Sequence, residues 1–290
     1  MSKVAVFGAT GQLGRELVKL LTLQGHSVTL APRSIDFAKT DDWFSIRTFI
    51  TSRAPDLVFN CAAENRVDLA EEKPNIAISV NGISVYHLAI ACEKVGAAFV
   101  HISSDYVFDG ESRSPYGEFD IPNPVNYYGR SKLIGETFVR TLSRRGTVIR
   151  TAGLYTLGGS TGKGGSFPDK IIAKAKTGER IVVVSDQVST PTYARDLAVA
   201  LVKNVNRFQD SDGLFHLTND GECSWYDFAC EVVRCAKLDV EVHSCSSFSL
   251  KQIARRPKYS VLAHHYIHPL RPWQEAIAEY CRLDKLNESC

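Results

Sequence analysis

The sequence predicts an α/β fold: a doubly wound parallel sheet followed by a smaller C-terminal α/β lobe. Three observations predict it. Over residues 1–150, short apolar runs rich in β-branched residues alternate with helical patterns, as in a parallel sheet covered on both faces. A glycine-rich turn joins the first such run to the first helical pattern. Beyond residue 150 the alternation loosens, which sets off residues 151–290 as a second lobe.

The 290 residues suffice for one large or two modest domains. With 44% hydrophobic and 23% charged residues, the composition is that of an ordinary soluble globular protein. A net charge of +2 gives no electrostatic reason for a nucleic-acid or membrane partner. Residues 1–4 run straight into a strand, so no secretory signal is expected. No apolar run is expected to reach spanning length either, and a cytoplasmic location follows. The eight cysteines form no Cys-x-x-Cys pair. They are read as reduced, small hydrophobes, with no zinc site.

Residues 3–7 are the first buried strand, and 15–23 carry helical periodicity. Between them stands Gly8-Ala9-Thr10-Gly11-Gln12-Leu13-Gly14. Strand, glycine turn and helix make a Rossmann-type fingerprint, here spaced G-x-x-G-x-x-G. Such glycines permit a tight turn, close approach to a pyrophosphate and close helix–strand packing, and the helix N-terminus favours phosphate. Residues 27–30 are the second strand. No acid for a ribose 2′-hydroxyl follows them. Arg33 and Ser34 stand there instead and suit a 2′-phosphate, which favours NADPH over NADH. Asp36 is a candidate for the adenine amino group. Residues 41–52 read as a helix with Asp41 or Asp42 near its N-cap. Residues 57–59 are the third strand and end in Asn60-Cys61-Ala62-Ala63, small residues where a nucleotide can come close. A long helical pattern follows Glu72-Lys73-Pro74, runs through Cys92 and contains Asn81, a further cofactor candidate. Residues 97–102 and 148–150 are the fourth and fifth strands.

In the second lobe, residues 157–165 form a glycine-dense loop, with Lys163 its one charge. It reads equally as a lid or as a plain insertion. Residues 167–176, 193–205, 224–236 and 273–286 read as helices, and 181–184 and 214–217 as strands. The 193–205 helix is expected to pack back on the first domain. His264, His265 and His268 lie close in sequence without further ligands nearby, so no metal is expected. The sequon at 287–289 carries no weight without a signal peptide.

The chemistry concentrates at the carboxyl edge of the sheet. Tyr128 and Lys132 are four residues apart at the start of a helix, so they share one face. A phenol titrates near pH ~10, and a neighbouring ammonium lowers that value. Ser104 follows the fourth strand and converges on the same edge. Together they fit hydride transfer from a nicotinamide nucleotide. Tyr128 gives a proton to a carbonyl oxygen, Ser104 hydrogen-bonds that oxygen, and Lys132 holds ribose hydroxyls and favours ionisation of Tyr128.

These residues resemble the extended short-chain dehydrogenase/reductase superfamily and, within it, the dTDP-4-dehydrorhamnose reductase family. Matching blocks run in order at 8–17, 67–74, 102–110, 122–136, 186–194 and 256–262. The resemblance implies reduction of the 4-keto group of a nucleotide-activated 6-deoxysugar by NADPH or NADH. It implies Asn65, Val67, Asp105 and Tyr106 near the sugar, and Arg256 near the nucleotide end. It allows a homodimer. The chain departs from the family at Ser104, where threonine is usual, and at Gly153, where the family has tryptophan. Of the glutamates that hold the family's divalent ion, Glu16 alone matches clearly. Two other classes share the fold: a non-catalytic NADP-binding regulatory subunit, and a sugar-nucleotide epimerase or dehydratase. The full set of Ser104, Tyr128 and Lys132 argues against the first. Tyr106, standing where a dehydratase needs a second acid after Asp105, argues against the second.

Overall fold

A computed structural model describes residues 1–39, 43–159, 165–210 and 212–288. Asp41, Asp42 and Lys163, named above, and residue 289 of the sequon lie outside the described residues. The elements follow in order: β1 (Lys3–Phe7), α1 (Gln12–Leu23), β2 (Ser27–Leu30), α2 (Trp43–Arg53), β3 (Leu57–Asn60), α3 (Val67–Glu72), α4 (Pro74–Ile78), a π-helical turn (Ser79–Ile83), α5 (Ser84–Val95), β4 (Ala98–Ser104), α6 (Tyr127–Leu142) and β5 (Gly146–Thr151). Next come β6 (Leu154–Tyr155), α7 (Phe167–Thr177), β7 (Ile181–Val184), β8 (Val188–Ser189), β9 (Thr192–Tyr193), α8 (Ala194–Lys203), α9 (Val205–Asp210), β10 (Gly213–His216), β11 (Cys223–Ser224), α10 (Trp225–Ala236), β12 (Val242–Cys245) and α11 (Trp273–Glu288).

The main sheet has six parallel strands in the order β10-β5-β4-β3-β1-β2. Val6 pairs with Leu30 on one side and Phe59 on the other. The strand order therefore reverses at β1, and a crevice opens beyond the carboxyl ends of β1 and β3. Side chains alternate across the sheet. Val4 and Val6 join Leu13, Leu17 and Leu201 on one face. Ala5 and Phe7 join Ile46, Ile50 and Val85 on the other. Both faces are buried, which is why the strands read as continuous apolar runs. A separate core of the C-terminal part gathers Tyr155, Ile171, Phe228, Trp273 and Tyr280.

Three features differ from the sequence reading. Helix α1 starts at Gln12, three residues early, because Gly11 takes the extended N-cap conformation. The expected long helix from Pro74 is interrupted by the π turn. Third, one helical stretch, Pro74–Val95, is long and apolar enough by composition to cross a membrane, although no such run was expected. More than half of its most apolar part is buried inside the protein, as befits a core helix. The chain also returns to the sheet after residue 151. Strand β10 pairs in parallel with β5, with Phe215 beside Ile149, and α8 packs on α1. His264 and His265 face Thr218 and Glu118 respectively, bracing the segment before α11.

Candidate active site

The carboxyl edge of the sheet opens into a cleft of about 970 Å³, at the upper end for small-molecule sites. Its floor is the β1–α1 turn, with Gly8, Thr10, Gly11, Gln12 and Leu13 along it. No side chain caps α1, and no acid sits in its first turn. The helix therefore offers free N–H groups and the positive end of its dipole to an anion. Gly14 lies one turn in and does not line the cleft. A Cβ there would overlap the Gly8 carbonyl oxygen, so this glycine serves helix–strand packing.

Arg33 and Asp36 line the cleft at the end of β2, whereas Ser34 is exposed outside it. Asp36 accepts from the Ala38 N–H at 3.0 Å. Cys61, Ala62 and Ala63 form the wall after β3. Burial pushes the Cys61 thiol up to about 12, so it is an uncharged surface. Asn81 is placed elsewhere than expected. The π turn directs it inward, where it accepts from Glu64 N–H and donates to the Glu64 carbonyl and Ser131 Oγ, each at 2.9 Å. It braces the 61–66 loop against α6 and does not line the cleft.

Ser104 ends β4, and Tyr128 and Lys132 occupy the first turns of α6. Asn126 fixes the start of that helix. Its side chain accepts from Gly129 N–H at 2.8 Å and donates to the Arg255 carbonyl at 2.7 Å. Ser104, Tyr128 and Lys132 all line the cleft. Ser104 Oγ donates to Asp105 Oδ1 at 2.8 Å and accepts from Tyr106 N–H at 3.2 Å. The Tyr128 ring meets that of Tyr106 edge-on, with centroids 5.6 Å apart. Burial pushes the Tyr128 phenol up to about 12, opposed by hydrogen bonding with Ser104. Lys132 Nζ donates to the Ile102 carbonyl at 2.5 Å, and burial holds it down to about 8.

Asp105 is buried, and burial pushes its carboxyl up to about 6 despite three hydroxyl partners. These are Ser104, Ser189 at 3.3 Å and Ser260 at 2.6 Å. Asn65, Val67, Asp105 and Tyr106 line the cleft. Arg256 does not. It forms a two-pronged pair with Asp68, both bonds 2.8 Å, and donates to the Ala254 carbonyl at 2.7 Å. The cleft also holds residues that sequence reasoning missed. Glu64 and Arg66 form an ion pair at 2.5 Å on its rim. Thr151 ends β5 and Ala152 and Leu154 follow it, and the strand-end rule applied to that strand would have found them. Phe167 and Trp225, centroids 4.7 Å apart, come from the C-terminal part with Lys170, and no local pattern marks them. Gly153 also lines the cleft and holds φ +53°, a conformation that side chains larger than glycine's rarely adopt. Of the glycine-dense loop, the Leu157 and Gly159 carbonyls accept from Arg15 at 3.3 and 2.7 Å.

Residues 2–285 match the family model described as the RmlD substrate binding domain. A spore coat polysaccharide biosynthesis protein, SpsK, of Bacillus subtilis is 38% identical, with all of both chains covered. The crystal structure of a dTDP-4-dehydrorhamnose reductase from Clostridium acetobutylicum superposes with a TM-score of 0.89 at 39% identity, covering 98% of this chain and 99% of that one. That of a dTDP-4-dehydrorhamnose reductase from Bacillus anthracis, in complex with NADP, also gives 0.89, at 32% identity and covering 96% and 98%.

Proposed function

This chain belongs to the family of the RmlD substrate binding domain, and from that membership we propose that it is an NADPH-dependent reductase of the 4-keto group of a nucleotide-activated 6-deoxysugar, like the dTDP-4-dehydrorhamnose reductases it resembles. One observation carries the reading: Ser104, Tyr128 and Lys132 line the same cleft as the uncapped N-terminus of α1. The cleft fits the nucleotide in size and in its free helix N–H groups.

When bound, NADPH supplies the hydride. Gly8 to Leu13 hold the pyrophosphate, Arg33 meets the 2′-phosphate, and Cys61 to Ala63 pack against the nucleotide. Lys132 holds ribose hydroxyls as a cation. Tyr128 gives its proton to the ketone oxygen, and Ser104, its hydroxyl turned from Asp105 to the substrate, donates a hydrogen bond to that oxygen. Asn65, Val67, Asp105 and Tyr106 surround the sugar. Residues 1–150 form the nucleotide-binding part and residues 151–290 contribute the substrate side. The reading includes a cytoplasmic location, a homodimer, and no nucleic-acid or membrane partner. The test is to incubate the pure protein with NADPH and a panel of dTDP-4-keto-6-deoxyhexoses and follow NADPH absorbance. Oxidation with at least one sugar is expected, and none with any sugar overturns the reading. Tyr128→Phe is expected to lower turnover roughly 10²–10⁴-fold while leaving NADPH affinity intact.

A further inference from the structure

Behind Lys132 lies a closed line of polar groups. Asn60 and His101 are fully buried, and Lys132 is 1% exposed. The line starts from a group whose role is fixed. The Ala62 N–H can only donate, and it donates to Asn60 Oδ1 at 3.2 Å. The amide nitrogen of Asn60 is therefore the atom turned to His101 Nδ1, at 3.1 Å. An amide NH₂ donates and does not accept, so Nδ1 is the acceptor. Burial, and then the charge of Lys132, hold His101 well below its ordinary value, so the ring is neutral. A neutral imidazole that accepts at Nδ1 carries its proton on Nε2. That N–H faces Lys132 Nζ at 3.5 Å. An ammonium has three donors and no acceptor, whereas an uncharged amine can accept.

We propose that His101 is a positioning residue for Lys132: fixed by Asn60 with its proton on Nε2, it presents a donor to Nζ, disfavours the ammonium, and lowers the pH above which Lys132 ceases to be a cation in the cleft. The other groups facing Nζ act as follows. The Ile102 carbonyl accepts from it at 2.5 Å and suits either form. Glu136, one turn along α6, favours the charge, but its carboxylate is shared with Arg150 and Ser103. The Cys61 thiol, raised by burial, is neutral at physiological pH. Burial remains the largest cause of the depressed lysine, and the His101 N–H acts in the same direction.

The proposal rests on reading Lys132 as a cation that holds the nucleotide, and its test needs no sugar. Nitrogen-15 spectra of the labelled full chain report which ring nitrogen of each histidine is protonated, and His101→Gln assigns the signal. Protonated Nε2 and bare Nδ1 are expected, and the opposite tautomer overturns the proposal. NADPH affinity, measured across pH, is expected to fall as Lys132 loses its charge near pH 8. In Asn60→Asp the carboxylate accepts from both Ala62 N–H and Nδ1, so Nε2 becomes an acceptor. In His101→Gln the side-chain oxygen can turn to Nζ. Both variants should move the midpoint up by about one pH unit. Aspartate also adds a charge and glutamine does not, so agreement between them isolates the hydrogen bond. Folded variants with an unmoved midpoint overturn the proposal. If neither variant folds, the wild-type tautomer decides. A wrong sugar assignment would show separately, as absent turnover with unchanged nucleotide binding.

Discussion

At the scale of single residues, burial governs the site. Tyr128, Asp105, Lys132 and Cys61 are all shifted toward their neutral forms, with desolvation the largest cause in each case. Asp105 allows a direct check. Its carboxyl ordinarily titrates at 3.8 and is raised here to about 6. Between those values the folded protein binds the proton more tightly than the unfolded chain does. Stability from this group is therefore full below the unfolded value and is lost as pH rises to the folded one. At 1.36 kcal/mol per unit the window is worth roughly 3 kcal/mol. Urea unfolding from pH 4 to 7 should show wild type losing stability relative to Asp105→Asn across that range. Parallel profiles would mean that the carboxyl ionises normally.

At the scale of elements, helix α6 matters most because it carries both Tyr128 and Lys132. Its N-cap at Asn126 fixes where it starts. Its middle is tied to the sheet by Glu136 and Arg150 of β5, each 2% exposed, through bonds of 2.9 and 2.6 Å. A buried pair broken on one side leaves an uncompensated charge, typically at a cost of about 3–5 kcal/mol, while replacing both partners with apolar residues can be neutral. Glu136→Gln should therefore lower the denaturation midpoint severely, and Glu136→Leu combined with Arg150→Met should recover most of the loss. If the double variant is as unstable as the single one, the pair matters for shape and not for charge. The sequence showed the start of α6, since the spacing of Tyr128 and Lys132 is a local signal. It did not show the π turn, which accompanies contacts of Asn81 with Glu64 and Ser131, 17 and 50 residues away.

At the scale of the whole molecule, the cleft joins a sheet edge to a second core. Gly8 to Leu13 come from the first 13 residues, whereas Phe167, Lys170 and Trp225 come from the C-terminal part. Ligand binding should therefore stabilise the chain as a unit. At 100 times its dissociation constant, NADPH adds about 2.7 kcal/mol, a rise in melting temperature of roughly 4–5 °C for a chain of this size. If Arg33 meets the 2′-phosphate, NADPH should stabilise the chain more than NADH at equal concentration. Arg33→Ala should weaken NADPH roughly tenfold and spare NADH. Equal effects on both nucleotides would remove Arg33 from the 2′-phosphate.

The sequence by itself determined what depends on neighbours along the chain. The apolar strands, the Gly8–Gly14 turn with its helix, and the one-turn spacing of Tyr128 and Lys132 all follow from local periodicity and turn chemistry. Tertiary structure alone decided what depends on burial and on partners distant in sequence. It turned Asn81 inward onto Glu64, and it committed Arg256 to Asp68 outside the cleft. It brought Trp225 and Phe167 into the cleft wall and set β10 beside β5. It also stood His101 behind Lys132, with its tautomer fixed by the Ala62 N–H through Asn60. The reason is physical. A residue's periodicity shows which face it occupies, but its charge and hydrogen-bond role follow from the groups that folding places against it.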